Sequence, residues 1–457
     1  MADDPLLGHS LDDLRRLDAA FVWHPFTQMA EYADPLVIVA GEGNYLIDAR
    51  GRRYLDGVSS LWCNVHGHRR PEIDAAIGAQ LGRVAHTTLL GLSSPPSIEL
   101  ARRLAALTPG DLNHVFYSDS GSTAVEAALK IAYQYHQQKR EAEPERRRFA
   151  ALANAYHGDT LGSVSVGGID LFHQVYRPLL LDVVRVPSPH CYRCPLGLDR
   201  ATCGLACADA MDRVLDTHAG ELAAVVVEPL VQGAAGILVH PEGYLARVRR
   251  ACDRVGCLMI ADEVAVGFGR TGRMFACEHE QVTPDLMCLA KGITGGYLPL
   301  AATVASDGVY EAFLAPRSAC RTFYHGHTYT GNALAASAAL AGLDIFERER
   351  VIEGLAAKIG RLADRLRDVA AMGHVGQVRQ RGLMVGIELV AEKTTKEPYA
   401  YERAIGDKVC AAVRSKGVIL RPLGDVVVLM PPLSMSDDEI DLLVGAAAEA
   451  IREVTEA

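Results

Sequence analysis

Near the start of the chain, residues 36–58 (LVIVAGEGNYLIDARGRRYLDGV) alternate apolar and polar positions around two glycine-containing turns, which predicts a small antiparallel meander. From about residue 100 the pattern changes to short apolar runs separated by helical repeats. The runs at 114–118, 149–153, 223–227, 258–261, 286–290 and 300–305 predict strands, and their alternation with helices predicts a parallel sheet with crossover connections. Between the third and fourth strands, HPEGYLARVRRACDRVG predicts a helix with Pro241 in its first turn and Gly256 at its stop. Residues 139–148 are charge-rich and predict a solvated loop. After about residue 335, one long helical pattern runs to near Met372, followed by short strands at 382–390 and 418–420. A final helix is opened by a capping box, Ser436 with Glu439. The expected fold class is therefore α/β, with a large, mostly parallel sheet domain at 66–334 and a smaller α+β domain at 335–457. The segment 1–65 is expected to pack with the smaller domain.

Length and composition narrow the picture. At roughly 150 residues per domain, 457 residues make two or three structural units. A hydrophobic share of 49% with 22% charged residues excludes a disordered chain. The formal net charge of -10 disfavours nucleic acid and anionic membranes as partners. No apolar run reaches the roughly 18 residues a membrane span needs; the longest candidate, 222–239, is broken by Glu228, Pro229 and Gln232. The acidic N-terminal stretch lacks the basic start and apolar core of a signal peptide, so a cytoplasmic address is expected. The odd count of 11 Cys reads as reduced thiols.

The chemistry sits at strand ends. Glu228 follows AAVVV, Asp262 follows LMIA, and Lys291 follows DLMCLA. Ligands of open α/β sheets bind beyond the strand C-termini. One charge there is commonly a solvated terminus, but three unlike charges converging at one sheet edge define a site. A desolvated lysine becomes a nucleophile toward carbonyls, and a carboxylate beside it can hold a cationic ring nitrogen. Schiff-base chemistry on pyridoxal phosphate needs that pair. A phosphate cradle is expected where the first sheet strand runs through Asp119-Ser-Gly-Ser122 into an amphipathic helix, with Gly121 allowing a tight turn and Ser122 among the free amides. Tyr156, in Tyr156-His157-Gly158, can offer an aromatic face to a pyridine ring.

Competing patterns point elsewhere. Gly267-Phe-Gly-Arg-Thr-Gly272 matches the dinucleotide fingerprint, yet Asp262 and Glu263 intervene after the strand and RMFACEHEQ is not an amphipathic helix. Cys191, Cys194, Cys203 and Cys207 could form a four-thiol zinc site, but their loose spacing favours scattered thiols, and no metal is expected. His66, His68, His325 and His327, in two H-G-H pairs, read as hydrogen-bonding groups.

MIADEVAVGFGRTG followed by PDLMCLAKGITGG resembles the signature of class III pyridoxal-phosphate aminotransferases. WHPFTQM, SSLWCNVHGH, YSDSGSTAVEAALK, AYHGDTLG, EPLVQGAAG, FYHGHTYTGN and ILRPLGD resemble the branch that aminates 8-amino-7-oxononanoate to 7,8-diaminononanoate in biotin biosynthesis. The resemblance implies a fold type I homodimer with active sites at the subunit interface, small-molecule amino donor and keto acid substrates, and catalysis by Lys291, Asp262 and Tyr156. It implies that Lys291 carries the cofactor, that Asp262 meets its ring nitrogen, and that Gly121 and Ser122 hold its phosphate with Thr328 from a partner subunit. Glu228, Tyr156 and His327 complete the implied cofactor shell. Trp62, Tyr156, Phe26, Lys291 and Gly326 would line the substrate site, with Arg421 on the substrate carboxylate. Members using S-adenosylmethionine as donor usually carry tyrosine at Phe26 and proline at His327, and both replacements resemble a branch that uses L-lysine. A broader ω-aminotransferase acting on diamines or β-amino acids is the alternative that the resemblance leaves open.

Overall fold

The structure, a computed structural model, describes residues 4–32 and 34–456. Its centre is a seven-stranded sheet in the spatial order Leu112–Ser118, Ala301–Ser306, Leu286–Leu289, Leu258–Asp262, Leu222–Val227, Arg148–Leu152 and Val183–Val186. Ala301–Ser306 is antiparallel to both neighbours, and every other pairing is parallel. Helices cover both faces, so the inner strands are buried on both sides and read as continuous apolar runs: all six residues of Leu222–Val227 are buried. The helix Gly121–Gln138 buries Ala124, Val125, Ala128 and Ala132 on one face of the sheet. The helices Ala206–Thr217 and Tyr244–Val255 bury Met211, Leu215, Leu245 and Val248 on the other.

The meander forms as Ile38–Glu42, Tyr45–Asp48 and Arg53–Asp56, all antiparallel. Its last strand pairs in parallel with Val418–Ile419, tying this N-terminal segment to the C-terminal part of the chain. A separate antiparallel sheet runs in the order Val375–Arg381, Met384–Leu389, Val426–Leu429, Arg421–Leu423. The capping box at Ser436 and Glu439 starts the helix Asp437–Thr455.

Several local expectations are corrected. The single helix expected up to Met372 is two, Ala333–Arg348 and Val351–Ala371, because Arg350 takes a left-handed φ of 48° and breaks the ladder. Pro241 lies ahead of its helix, which opens at Tyr244 behind Gly243 in the left-handed region, whereas Gly256 ends it as expected. The edge strand Val183–Val186 and the strand Val375–Arg381 escaped the pattern because partial exposure dilutes their apolar signal. The charged loop before Arg148 is not wholly solvated. Arg146 is buried and donates to the carbonyls of Ala219, Leu222 and Val255, closing the ends of three elements.

Candidate active site

Three parallel strands deliver the central charges, because parallel strands end on the same edge of the sheet. Leu222–Val227 is followed by Glu228, Leu258–Asp262 ends in Asp262, and Leu286–Leu289 leads through Ala290 into the turn that begins at Lys291. All three line one cavity of about 380 Å³, shared with Trp62, Cys63, Asp119 to Ser122, Tyr156 and His157. Lys291 holds a left-handed φ of 47°, a conformation that costs a non-glycine residue about 1–2 kcal/mol and persists only where packing over-determines it. Packing does so here: a Cβ on Gly292 would come within 2.7 Å of Phe268 Cβ.

The lysine Nζ stands 4.9 Å from the centroid of the Trp62 ring. Burial holds its ammonium below the ordinary lysine value, against the opposing pull of Asp262 and Glu228. Glu228 is buried and pushed up to about 7, first by desolvation, although it accepts the amides of Gly233 at 2.8 Å and Tyr156 at 3.1 Å. Asp262 Oδ2 lies 2.7 Å from His157 Nδ1, and its Oδ1 accepts the Val264 amide at 3.0 Å. The Tyr156 hydroxyl donates to Asp159 Oδ2 at 2.7 Å; burial and that bond together keep the phenol protonated.

At the other wall, Ser120 caps the helix Gly121–Gln138 in a capping box with Thr123. Gly121 has ordinary helical geometry rather than a tight turn. Its glycine is needed because a Cβ would lie 2.7 Å from Val264 Cγ1, so the helix start approaches the loop after Asp262 closely. Gly158, at φ 117°, packs likewise: a Cβ there would lie 2.0 Å from Ser122 Oγ. The Ser122 hydroxyl accepts the Asp159 amide at 3.1 Å. Lysine amine, buried carboxylate and glycine-cleared helix start thus face one cavity, and a ring with a cationic nitrogen and a phosphate, as in pyridoxal phosphate, fits that donor set.

The remaining expected residues lie further out. Arg421 places its guanidinium carbon 6.0 Å from the ring centroid of the half-exposed Phe26. Gly326, His327 and Thr328 do not line the cavity of their own chain. The Thr328 carbonyl accepts from His86 Nε2 at 2.9 Å, and His327 Nδ1 reaches only to 3.5 Å from Asp119 Oδ2 at the rim.

The glycine-rich GFGRTG serves packing. Gly269 and Gly272 take φ of 89° and 99°, and after Gly272 comes a short turn, Ala276–Glu280, rather than a crossover helix. Its Arg270 is fully buried and donates to the carbonyls of Pro431 at 2.5 Å, Asn64 at 3.0 Å and Trp62 at 3.3 Å, which braces the loop that carries Trp62. Cys191, Cys194, Cys203 and Cys207 border a second, smaller cavity. Among the described residues no group of three or more His, Cys, Asp and Glu side chains could hold a metal ion, and no helix is long and apolar enough to cross a membrane. His157, which holds Asp262, and Arg270, which braces Trp62, are site residues that the sequence pattern does not assign. Only His157, adjacent to Tyr156 and next to a glycine after a strand, carried a signal that could have found it.

With this geometry the chain matches the class-III aminotransferase family over residues 28–451, and it belongs to that family. It is a pyridoxal-phosphate-dependent transaminase of fold type I. A relative named adenosylmethionine-8-amino-7-oxononanoate aminotransferase, from Nitratidesulfovibrio vulgaris, is 61% identical over 97% of this chain and 82% of its own. The crystal structure of the protein of that name from Methanocaldococcus jannaschii superposes with a TM-score of 0.93 at 46% identity, covering 97% of this chain and 100% of the other. An (S)-enantioselective omega-transaminase from Thermomicrobium roseum superposes with a TM-score of 0.92 at 38% identity, over 98% of this chain and 99% of its own.

Proposed function

We propose that this transaminase converts 8-amino-7-oxononanoate to 7,8-diaminononanoate in biotin biosynthesis. The observation that carries the reading is the gathering of Lys291, Asp262 and Glu228 in one buried cavity, with Arg421 beside Phe26. The high identity to relatives whose name states that reaction supports it. Gly121 and Ser122 would hold the cofactor phosphate through helix-start amides, joined by Thr328 and His327 of a second copy. Asp262 would face the ring nitrogen, fixed in place by His157, with Glu228 and Tyr156 at the ring's edges. Pyridoxal phosphate, when bound, supplies an electron sink that stabilises negative charge on the substrate carbon next to nitrogen.

The chain's residues do the rest. Burial lowers the proton affinity of Lys291, which favours its amine as a nucleophile: it would hold the cofactor and, once released, take up and return the proton at the donor α-carbon. The Asp262 carboxylate favours a protonated ring nitrogen by its charge. Trp62 and Tyr156, which line the cavity with Lys291, would wall an apolar slot, with Phe26 further out and Gly326 supplied by a second copy. Arg421 offers a planar, two-pronged donor to the carboxylate at the slot's end.

The working form we propose is a cytoplasmic homodimer with its active sites at the interface. Gly326, His327 and Thr328 do not line the cavity of their own chain, so a second copy that supplied them would complete the site, and the largely exposed Trp23, Leu90, Val175 and Tyr324 are side chains such an interface could cover. Of the two donors, S-adenosylmethionine and L-lysine, Phe26 and His327 tilt the choice to L-lysine: a phenyl ring cannot give the hydrogen bond that a tyrosine hydroxyl offers a polar donor. The test is product formation by purified enzyme from 8-amino-7-oxononanoate with each donor at matched concentration. Diaminononanoate is expected, faster with L-lysine. Faster turnover with S-adenosylmethionine overturns the donor. Turnover of diamines or β-amino acids with none of 8-amino-7-oxononanoate overturns the substrate in favour of a broader ω-aminotransferase.

A further inference from the structure

A run of aromatic rings leads out of the cavity. Tyr156 lines it, the ring of Phe172 stands edge-on to Tyr156 at 6.3 Å, and Phe26 stands edge-on to Phe172 at 5.4 Å. The Arg421 guanidinium then lies 6.0 Å from the centre of the Phe26 ring. Phe172 is the middle member. It stands on the short helical turn Asp170–His173, in the same stretch of chain as Tyr156 and far in sequence from Phe26.

That turn is held from beneath. His173 is buried, 5% exposed, and its ring lies nearly parallel to that of Tyr156 at 6.5 Å. It packs so closely on Gly167 that a Cβ there would lie 2.4 Å from the imidazole Cε1. The backbone amides of Phe172 and His173 both donate to the Ile169 carbonyl, at 3.0 and 3.1 Å. Phe172 is therefore presented from a braced turn, beside both Tyr156 of the cavity wall and the Phe26 ring next to Arg421, rather than from a free loop tip.

We propose that Phe172 is a specificity-determining residue: with Tyr156 and Phe26 it forms an apolar side wall along the path from the amine end of the site toward Arg421, and so sets the length of straight carbon chain the enzyme accepts. The inference rests on the proposed carboxylate-binding part of Arg421. A ring in this position contacts methylenes and nothing charged, so it acts on chain length and not on the proton transfers at Lys291. A substrate with a carboxylate at one end and the reacting carbon at the other gains from the wall only if its alkyl chain spans it. Apolar walls discriminate by roughly 10–200-fold per methylene at most, and that sets the scale of the effect.

The experiment compares the full-length wild type with Phe172→Ala and Phe172→Leu on 8-amino-7-oxononanoate and its homologue two methylenes shorter, 6-amino-5-oxoheptanoate. A homologous series of linear ω-amino acids is run as amino donors alongside. Phe172→Ala is expected to raise KM for the longer acceptor about tenfold with kcat nearly unchanged, and to narrow the preference for long over short chains. Phe172→Leu, which keeps an apolar side chain and guards against a folding artefact, is expected to recover part of that preference. An unchanged length profile in Phe172→Ala, or equal losses on every chain length, overturns the inference. If wild type fails on 8-amino-7-oxononanoate yet uses the amino acid series, the proposed substrate falls. The length profile of that series, flattened in Phe172→Ala or not, still decides the part Phe172 plays.

Discussion

His157 and Asp262 form a buried pair: the imidazole Nδ1 lies 2.7 Å from Oδ2 of the carboxylate, and both side chains are nearly inaccessible. The second carboxylate oxygen accepts the amide of Val264, so Asp262 is fixed at both oxygens. Because His157 follows Tyr156 directly, and the Tyr156 amide donates to Glu228, one short segment joins two of the three charged groups. Such a brace lets a buried carboxylate face a ligand without turning away to solvate itself.

Asp262→Asn nearly keeps the volume and removes the charge. Turnover is expected to fall by at least about tenfold to hundredfold, the equivalent of a lost charge-assisted contact of roughly 1.5 to 3 kcal/mol, while cofactor affinity falls far less. Steady-state kinetics with a cofactor titration measure both. Parallel losses would assign Asp262 a structural part.

Lys291→Ala removes the nucleophile and the proton carrier together. The variant is expected to stay folded and bind cofactor noncovalently, with turnover reduced by about 10⁴-fold or more. Borohydride treatment followed by mass measurement of the chain reads the covalent link. If borohydride still fixes cofactor to this variant, another amine carries it.

Arg421→Ala is expected to weaken the keto acid acceptor selectively, by about tenfold to hundredfold in kcat/KM, through loss of a charge-assisted pair worth roughly 1.5 to 3 kcal/mol. The two half-reactions, followed separately, distinguish acceptor from donor. Equal damage to a donor that makes no such carboxylate contact would mean that Arg421 supports the fold instead.

Glu263 supplies a pH prediction outside the reacting groups. It is fully buried, accepts the amides of Ala276 and Cys277 at 2.9 and 2.8 Å, and is pushed up to about 7 by desolvation. A carboxyl whose folded value is raised from 4.5 favours the folded state in its protonated form. Its contribution is therefore complete below about pH 4.5 and is lost as pH rises to about 7. Thermal unfolding of the cofactor-free protein at pH 5 and pH 7 should show a smaller loss on raising pH in Glu263→Gln than in wild type. An identical pH dependence would show that Glu263 is already ionised in the fold.

Much of this was legible in the sequence because it rests on local chemistry. Strands buried on both faces must be apolar throughout, so Leu222–Val227 and Leu258–Asp262 stand out, and the charges that end them are conspicuous. The capping box at Ser436 and the stop at Gly256 depend on backbone groups a few residues away. The order of the sheet, the pairing of Arg53–Asp56 with Val418–Ile419 and the bracing of Trp62 by Arg270 depend on contacts across hundreds of residues, for which a linear pattern carries no period. The same holds for Gly121, whose reason is a neighbour, Val264, and not its own dihedral angles. It holds also for Phe172, an ordinary apolar residue in sequence that only tertiary packing sets between Tyr156 and Phe26. The sequence by itself determined which groups can do the chemistry, since nucleophilicity and charge belong to side chains. The tertiary structure decided how far each is desolvated and what it faces, since burial and distance are properties of the whole packed chain.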